Sequence, residues 1–230
     1  MKLQFAKAAE LLVPSLFHGF GVVIEATILG FLLATVLGMV IAIGRLSTSK
    51  IIRGILYLFL EIIRGTPLLV QLVYIYYVVP LLLNLIASMF GFTTNVQIAS
   101  VTAGIWGLGI NYGCYMSEVV RASILSIDKG QTEAALVLGF GKYEALFRIV
   151  IPQALRSIIP SLGNYLVMMV KDTSLLAYVA VSELLLRTQN FASQTFLTIE
   201  SYTFLAIAYL IISIPLSHFI KFIEYKLKDK

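Results

Sequence analysis

The longest uncharged run in the sequence extends from Gly65 to Ser117 and contains no Asp, Glu, Lys or Arg. An α-helix needs about 20 apolar residues to cross the hydrocarbon of a bilayer. The run is therefore long enough for two crossings, and a polar segment from Gly91 to Asn95 separates them. Only 13% of the chain is charged, whereas about a quarter is usual in soluble domains. These features exclude an ordinary soluble domain and predict an integral membrane protein.

Other stretches with few charges predict three more crossings. Glu25 is the only charge between Glu10 and Arg45, and the twenty residues from Ser201 to Ile220 carry none. We therefore predict an all-α integral membrane protein in which residues 1–230 form one domain. Its five transmembrane helices are expected at about 14–45, 53–83, 96–121, 149–172 and 201–224.

The distribution of basic residues predicts the orientation. Most of the 17 Lys and Arg lie beside the first and third connections or at the C-terminus: Arg45, Lys50, Arg53, Arg121, Lys129, Lys142, Arg148, Arg156, Lys221, Lys226, Lys228 and Lys230. The opposite side holds Lys2, Lys7, Lys171 and Arg187. Because basic residues are enriched in cytoplasmic segments, these connections and the C-terminus are predicted to be cytoplasmic and the N-terminus to be outside.

The third connection, residues 128–148, is rich in apolar residues, which is unusual for a simple linker. Thr132 and Glu133 can begin a helix, because a carboxylate in the first turn is favourable there. Gly139 can end this helix, and a second helix is expected to begin at Lys142. The segment therefore predicts two short cytoplasmic helices that cover a partner surface.

No catalytic, metal or nucleotide site is expected on this chain. Cys114 is the single cysteine, and the two histidines are far apart in the sequence. The residues before Lys142 resemble a phosphate-binding loop, but the Walker pattern needs Ser or Thr directly after the Lys. Tyr143 occupies that place, so any energy source must be on another subunit.

The third connection resembles the EAA loop of ABC importer permeases, whose pattern is E-A-A-x3-G-x9-I-x-L-P. The matching residues are Glu133, Ala134, Ala135, Gly139, Ile149, Ile151 and Pro152, and Ile151 is the one departure. Further motifs look like those of polar amino acid importers: Arg64-Gly65-Thr66-Pro67-Leu68, Tyr115-x2-Glu118-x2-Arg121, Lys129-Gly130-Gln131, Pro152-Gln153-Ala154-x-Arg156 and Lys171-Asp172-Thr173-Ser174-Leu175.

This resemblance implies half of a type I importer in the bacterial plasma membrane. The implied partners are a second permease, two ATP-binding cassette subunits that hold ATP and Mg, an extracytoplasmic solute-binding protein and a polar amino acid, but no nucleic acid. In such a complex Glu133, Ala134, Ala135 and Gly139 couple the permease to the ATPase subunits. Whether the second permease is a copy of this chain or a paralogue stays open.

The substrate path is expected where a helix is broken at membrane depth. Pro67 disfavours helix at Thr66 and frees backbone groups there. Asp172 can hold the ammonium of an amino acid, while Thr66, Thr173 and Ser174 meet its carboxylate. Asp172 can instead pair with Lys171. The other residues predicted to line the path are Pro67, Gln71, Tyr165 and Met168.

Tyr165 bears on substrate charge, because many relatives carry an acidic residue there. A neutral phenol argues against a purely cationic substrate, and glutamine, glutamate and cystine all remain open. Two ion pairs are also predicted at i, i+3 spacing, Glu61 with Arg64 and Glu118 with Arg121. For the second pair, a structural role at the membrane interface is as consistent with the sequence as a role in transport.

A proton-coupled secondary transporter is the main alternative function. Glu61, Glu118 and Asp172 are carboxylates at or near membrane depth and could carry protons. Dependence of uptake on ATP would distinguish the importer from this alternative.

Overall fold

The computed structural model describes residues 3–228, so Lys2 and Lys230 lie outside the described residues. This part of the chain contains helices and no strand. The α-helices are α1 (Phe5–Arg45), α2 (Lys50–Arg64), α3 (Leu68–Val73), α4 (Val79–Met89), α5 (Ser100–Leu125), α6 (Lys129–Val137), α7 (Lys142–Ala145), α8 (Ile151–Asp172), α9 (Leu184–Thr195) and α10 (Thr198–Lys228). The π-helical segments Tyr74–Val78 and Leu146–Val150 join α3 to α4 and α7 to α8, and the 3₁₀ segment Thr173–Val179 follows α8.

Four helical stretches among residues 3–228 are long and apolar enough to cross a membrane: Phe5–Arg45, Leu68–Met89, Lys142–Val179 and Thr198–Leu227. The predicted span 96–121 corresponds to α5, which is 26 residues long. Helix α5 is less apolar because it carries Asn111 and several Gly and Tyr residues, and half of its residues are buried inside the protein. The prediction of an all-helical membrane fold is confirmed, whereas five crossings and their orientation stay predictions.

Within the predicted span 53–83 the helix is broken, as the sequence predicts from Pro67. Helix α2 ends at Arg64, and α3 begins at Leu68 after the extended residue Pro67. Pro67 has no backbone N–H, and its ring disfavours helical geometry at Thr66. The chain therefore forms two separate helices with a break between them.

Helix α1 begins at Phe5, nine residues before the predicted start of the span at 14. Pro14 lies inside the helix and does not end it. Leu12 and Leu16, on either side of Pro14, pack in one apolar cluster with Leu184 and Leu205. Burial of these side chains offsets the loss of the backbone hydrogen bond that Pro14 cannot donate.

Close packing of α1 on α5 forms the centre of the fold. A Cβ atom built at Gly38 would lie 3.0 Å from the Cβ of Met116 and 3.2 Å from the carbonyl oxygen of Gly113. A Cβ atom at Gly113 would lie 3.0 Å from the Cβ of Leu37. Small residues let helix backbones approach each other at this distance. Helices α1 and α5 run in the same direction, because residues further along α1 contact residues further along α5.

The third connection differs from the prediction in two ways. Helix α6 begins at Lys129, where the Asp128 side chain accepts a hydrogen bond from the backbone N–H of Gly130. Asp128 is the better N-cap, and Glu133 consequently lies in the second turn. The second helix is not a separate short one, because the chain from Lys142 continues as helix to Asp172 and on to Val179.

Candidate functional site

A cavity of about 480 Å³ lies beside the break between α2 and α3. Helices α5 and α8 form its other walls. Its lining includes one basic and one acidic side chain, three tyrosines and the residues of the break: Arg64, Gly65, Thr66, Pro67, Leu68, Asn111, Tyr112, Tyr115, Tyr165, Met168 and Asp172. Transporters commonly bind substrate beside discontinuous helices, where backbone groups are available within the membrane.

Asp172 is held by a tyrosine of the neighbouring helix. The hydroxyl of Tyr112 donates a hydrogen bond of 2.7 Å to Asp172 Oδ2. The Tyr112 ring also contacts the ring of Tyr165 edge to face, with centroids 6.0 Å apart. The predicted alternative of a Lys171–Asp172 pair is wrong, because no such ion pair occurs among residues 3–228 and Lys171 is exposed. Asp172 also lines the cavity, so its carboxylate can contact a molecule bound there.

The side chain of Gln71 forms hydrogen bonds with backbone groups on the other side of the helix break. Its side-chain Nε2 donates hydrogen bonds to the carbonyl oxygens of Ile63 (2.6 Å) and Thr66 (3.0 Å). The Ile63 carbonyl needs such a donor because the residue four positions later, Pro67, has no N–H to offer. Gln71 Oε1 accepts a hydrogen bond from Asn111 Nδ2 at 3.1 Å. The broken helix is thus tied to α5 by one buried amide.

The charged residues near the site pair between helices and not within them. Glu118 of α5 forms ion pairs with Arg45 of α1 and Arg64 of α2. The predicted pairs Glu61–Arg64 and Glu118–Arg121 are absent from residues 3–228. The two arginines come within reach of Glu118 because α1 and α2 both pack on α5. Glu61 is exposed, and the buried Nε of Arg121 has no hydrogen-bond partner.

Five of the predicted path residues line the cavity, namely Thr66, Pro67, Tyr165, Met168 and Asp172. Gln71, Thr173 and Ser174 do not line it. Thr173 is fully buried, and its hydroxyl donates to the carbonyl oxygen of Val170 at 2.6 Å. The Thr173 hydroxyl is therefore already bonded to the backbone of α8.

Sequence reasoning missed three lining residues on α5: Asn111, Tyr112 and Tyr115. Positions 111 and 115 are four residues apart and therefore share one face of a helix, with position 112 beside them. Polar residues at this spacing inside a long uncharged run were the signal that could have identified them.

Two of the four predicted coupling residues are exposed side chains. Glu133 and Ala134 are accessible on α6, whereas Ala135 is only 4% exposed and packs inside the protein. Ala135 is therefore not a contact residue for a partner in this structure. Gly139 has a φ angle of 88°, in the left-handed region that glycine adopts easily. The turn it forms exposes Val137 and Leu138, which are 88% and 77% accessible.

The chemistry available at the cavity is electrostatic and polar. No group of three His, Cys, Asp or Glu side chains within residues 3–228 could hold a metal ion. Arg64 and Asp172 instead place one charge of each sign on the cavity wall. Such a wall suits a small molecule that carries both an anionic and a cationic group.

Comparison with known proteins identifies the family. The family model for the inner membrane component of binding-protein-dependent transport systems matches residues 34–229. The glutamine transport system permease protein GlnP of Escherichia coli (strain K12) is 32% identical over 94% of each chain. The L-cystine transport system permease protein TcyB of Bacillus subtilis (strain 168) is 36% identical, over 79% of this chain and 72% of its own length.

A solved structure supports the same conclusion. The crystal structure of an amino acid ABC transporter with histidines is similar at a TM-score of 0.84 and 30% sequence identity. The similarity covers 98% of this chain and 100% of the other. The long apolar helices described above agree with a location in the bacterial inner membrane. The chain therefore belongs to the family of binding-protein-dependent transport system inner membrane components and is a permease of the amino acid ABC transporter type.

Proposed function

We propose that this permease imports polar amino acids and that the cavity beside the α2–α3 break is its substrate site. The observation that carries this proposal is the presence of Arg64 and Asp172 on the wall of one cavity. An amino acid carries one ammonium and one carboxylate, so both of its charged groups find an opposite charge there. The names of the relatives, which specify glutamine and L-cystine, support a polar amino acid as substrate.

In the proposed complex, the free oxygen of Asp172 accepts the substrate ammonium. The carboxylate of the substrate faces Arg64 and the opened backbone near Thr66. Arg64 is already paired with Glu118 at 3.1 Å, which reduces its net attraction for a second anion. With Tyr165 neutral, the lining supplies one acid and one base. It consequently favours a substrate without net charge over arginine or lysine.

Membership of the family supports our proposals for the remaining parts of the importer. We propose five crossings, with the N-terminus outside and α6 in the cytoplasm, in one domain over residues 1–230. Two ATP-binding cassette subunits would hold ATP and Mg, and a second permease and a solute-binding protein would complete the complex. Glu133 and Ala134, together with the turn at Gly139, would contact an ATPase subunit.

Cysteine labelling tests the proposed orientation. The native Cys114 is 0% exposed and gives little background with a membrane-impermeant reagent. A cysteine introduced at Thr93 should react from outside the cell. A cysteine introduced at Lys142 should react only after the membrane is opened. The reverse pattern would overturn the five-crossing orientation.

The substrate site is tested by Asp172→Asn in the complete transporter, with Lys171→Gln as the control. Hydrogen bonds to charged groups contribute about 1.5–3 kcal/mol, against about 1 kcal/mol for neutral ones. The difference of about 0.5–2 kcal/mol should therefore weaken apparent substrate affinity about two- to thirtyfold. Uptake and substrate-stimulated ATPase should fall, while complex assembly stays intact. Lys171→Gln, next to the site but exposed, should retain normal affinity.

Equal effects of both variants would contradict a substrate role for Asp172. Uptake by this chain alone, driven by a pH gradient and independent of ATP, would instead support the secondary-transporter alternative. Competition among glutamine, cystine and arginine in the same assay then tests the proposed preference for substrates without net charge.

A further inference from the structure

A second cavity, of about 620 Å³, lies at the end of the molecule where α1 ends and the long helix from Lys142 begins. Its walls come from the α1–α2 connection, the last turn of α5, α6 and the first turns after Lys142. It is separate from the cavity beside the helix break, and the two have no lining residue in common. Its position at the ends of two membrane-spanning helices places it at the level of the bilayer surface.

The charged residues that line this cavity are all basic. Lys129 and Lys142 both line it, and no acidic residue does. Both lysines are exposed, and neither forms an ion pair with any residue in the range 3–228. Thr132 and Tyr143 contribute two hydroxyls to the same lining. Two uncompensated ammonium groups beside two hydroxyls form a site for a phosphate group.

Most of the remaining lining is apolar. Ile43 and Leu46 from the end of α1, Ile52 from α2, and Leu125 and Ile127 from the end of α5 line it. Ile52 and Leu125 are 46% and 56% exposed. Apolar surface of this kind is stabilised when a hydrocarbon chain covers it.

We propose that this cavity binds an anionic phospholipid of the inner leaflet. The lipid phosphate lies between Lys129 and Lys142, and one acyl chain covers the apolar wall. Charge and polarity together select this occupant. A soluble anion would leave the apolar wall uncovered, and a lipid without net charge would leave the two ammonium groups uncompensated. Because α6 forms part of the wall, the lipid would also hold the third connection against the membrane.

Native mass spectrometry of the full-length permease, extracted from nanodiscs, tests the proposal. The nanodiscs contain equal amounts of phosphatidylglycerol and phosphatidylcholine. The wild type should retain phosphatidylglycerol with about a thirtyfold preference over phosphatidylcholine. This preference corresponds to about 1 kcal/mol for each lysine. The double variant Lys129→Gln/Lys142→Gln should lose this preference.

The control variant Lys50→Gln/Arg53→Gln removes the same number of charges from exposed positions outside the lining. It should retain the preference. An equal loss of the phosphatidylglycerol preference in both double variants would show a general attraction of the basic surface for anionic lipid. That result would overturn the proposal. So would displacement of the lipid by soluble glycerol phosphate at equal concentration, because the apolar wall would then contribute nothing to binding.

Discussion

Replacement of Gln71 tests the account of the broken helix most directly. Gln71→Leu keeps a similar volume but removes the donor for Ile63 and Thr66 and the acceptor for Asn111. The site is 9% exposed, so water cannot easily replace these partners. Hydrogen bonds between helices in membranes average about 0.6 kcal/mol each. Gln71 makes four hydrogen bonds, three through Nε2 and one through Oε1, and their loss predicts a decrease of about 2 kcal/mol in the free energy of unfolding.

A loss of this size lowers the melting temperature of a protein of this length by about 4–8 °C. Thermal unfolding of the purified protein measures the shift, and Gln97→Leu is the matched control because Gln97 is exposed. Gln71→Glu should be at least as harmful, since an ionised carboxylate cannot donate to the Ile63 carbonyl. Equal melting temperatures for Gln71→Leu and Gln97→Leu would refute the proposed role of Gln71.

Three further changes test other parts of the structure. Glu118→Gln removes the ion-pair partner of Arg45, whose side chain is only 14% exposed. This change should lower the free energy of unfolding by about 2 kcal/mol or more. The control Glu144→Gln breaks an exposed ion pair and should lower it by about 0.5 kcal/mol or less. Gly38→Ala should destabilise the folded protein by about 1–3 kcal/mol, because the added methyl group meets α5. Gly21→Ala should not, because a Cβ atom there meets no atom within 4 Å. Thermal unfolding measures both variants. Glu133→Arg should reduce copurification of the ATPase subunits without reducing membrane insertion, and unchanged copurification would contradict the coupling role.

The sequence predicts the helix break and half of the cavity because both depend on local chemistry. Pro67 constrains its own backbone and that of Thr66, whatever surrounds them. Tyr165 and Asp172 are seven residues apart and share a helix face for the same local reason. Residues within one helix, or at one break, can therefore be assigned without knowledge of the fold.

Contacts between helices could not be predicted in this way. Spacing along one helix favours Glu118 with Arg121, but the structure pairs Glu118 with arginines from α1 and α2. These pairs depend on the rotation and register of packed helices, which the sequence of one helix does not define. The same reason explains why Tyr112 was missed, since its role depends on an aspartate sixty residues away.

The continuous helix from Lys142 to Asp172 has a mechanical consequence. At a rise of 1.5 Å per residue, it separates its two ends by about 45 Å. A tilt of about 5° about the Lys142 end would carry the Asp172 end sideways by about 4 Å, by simple leverage on that length. The π-helical segment Leu146–Val150 lies close to the pivot. A small rotation at the end beside α6 is therefore enough to open or close the contact between Asp172 and Tyr112.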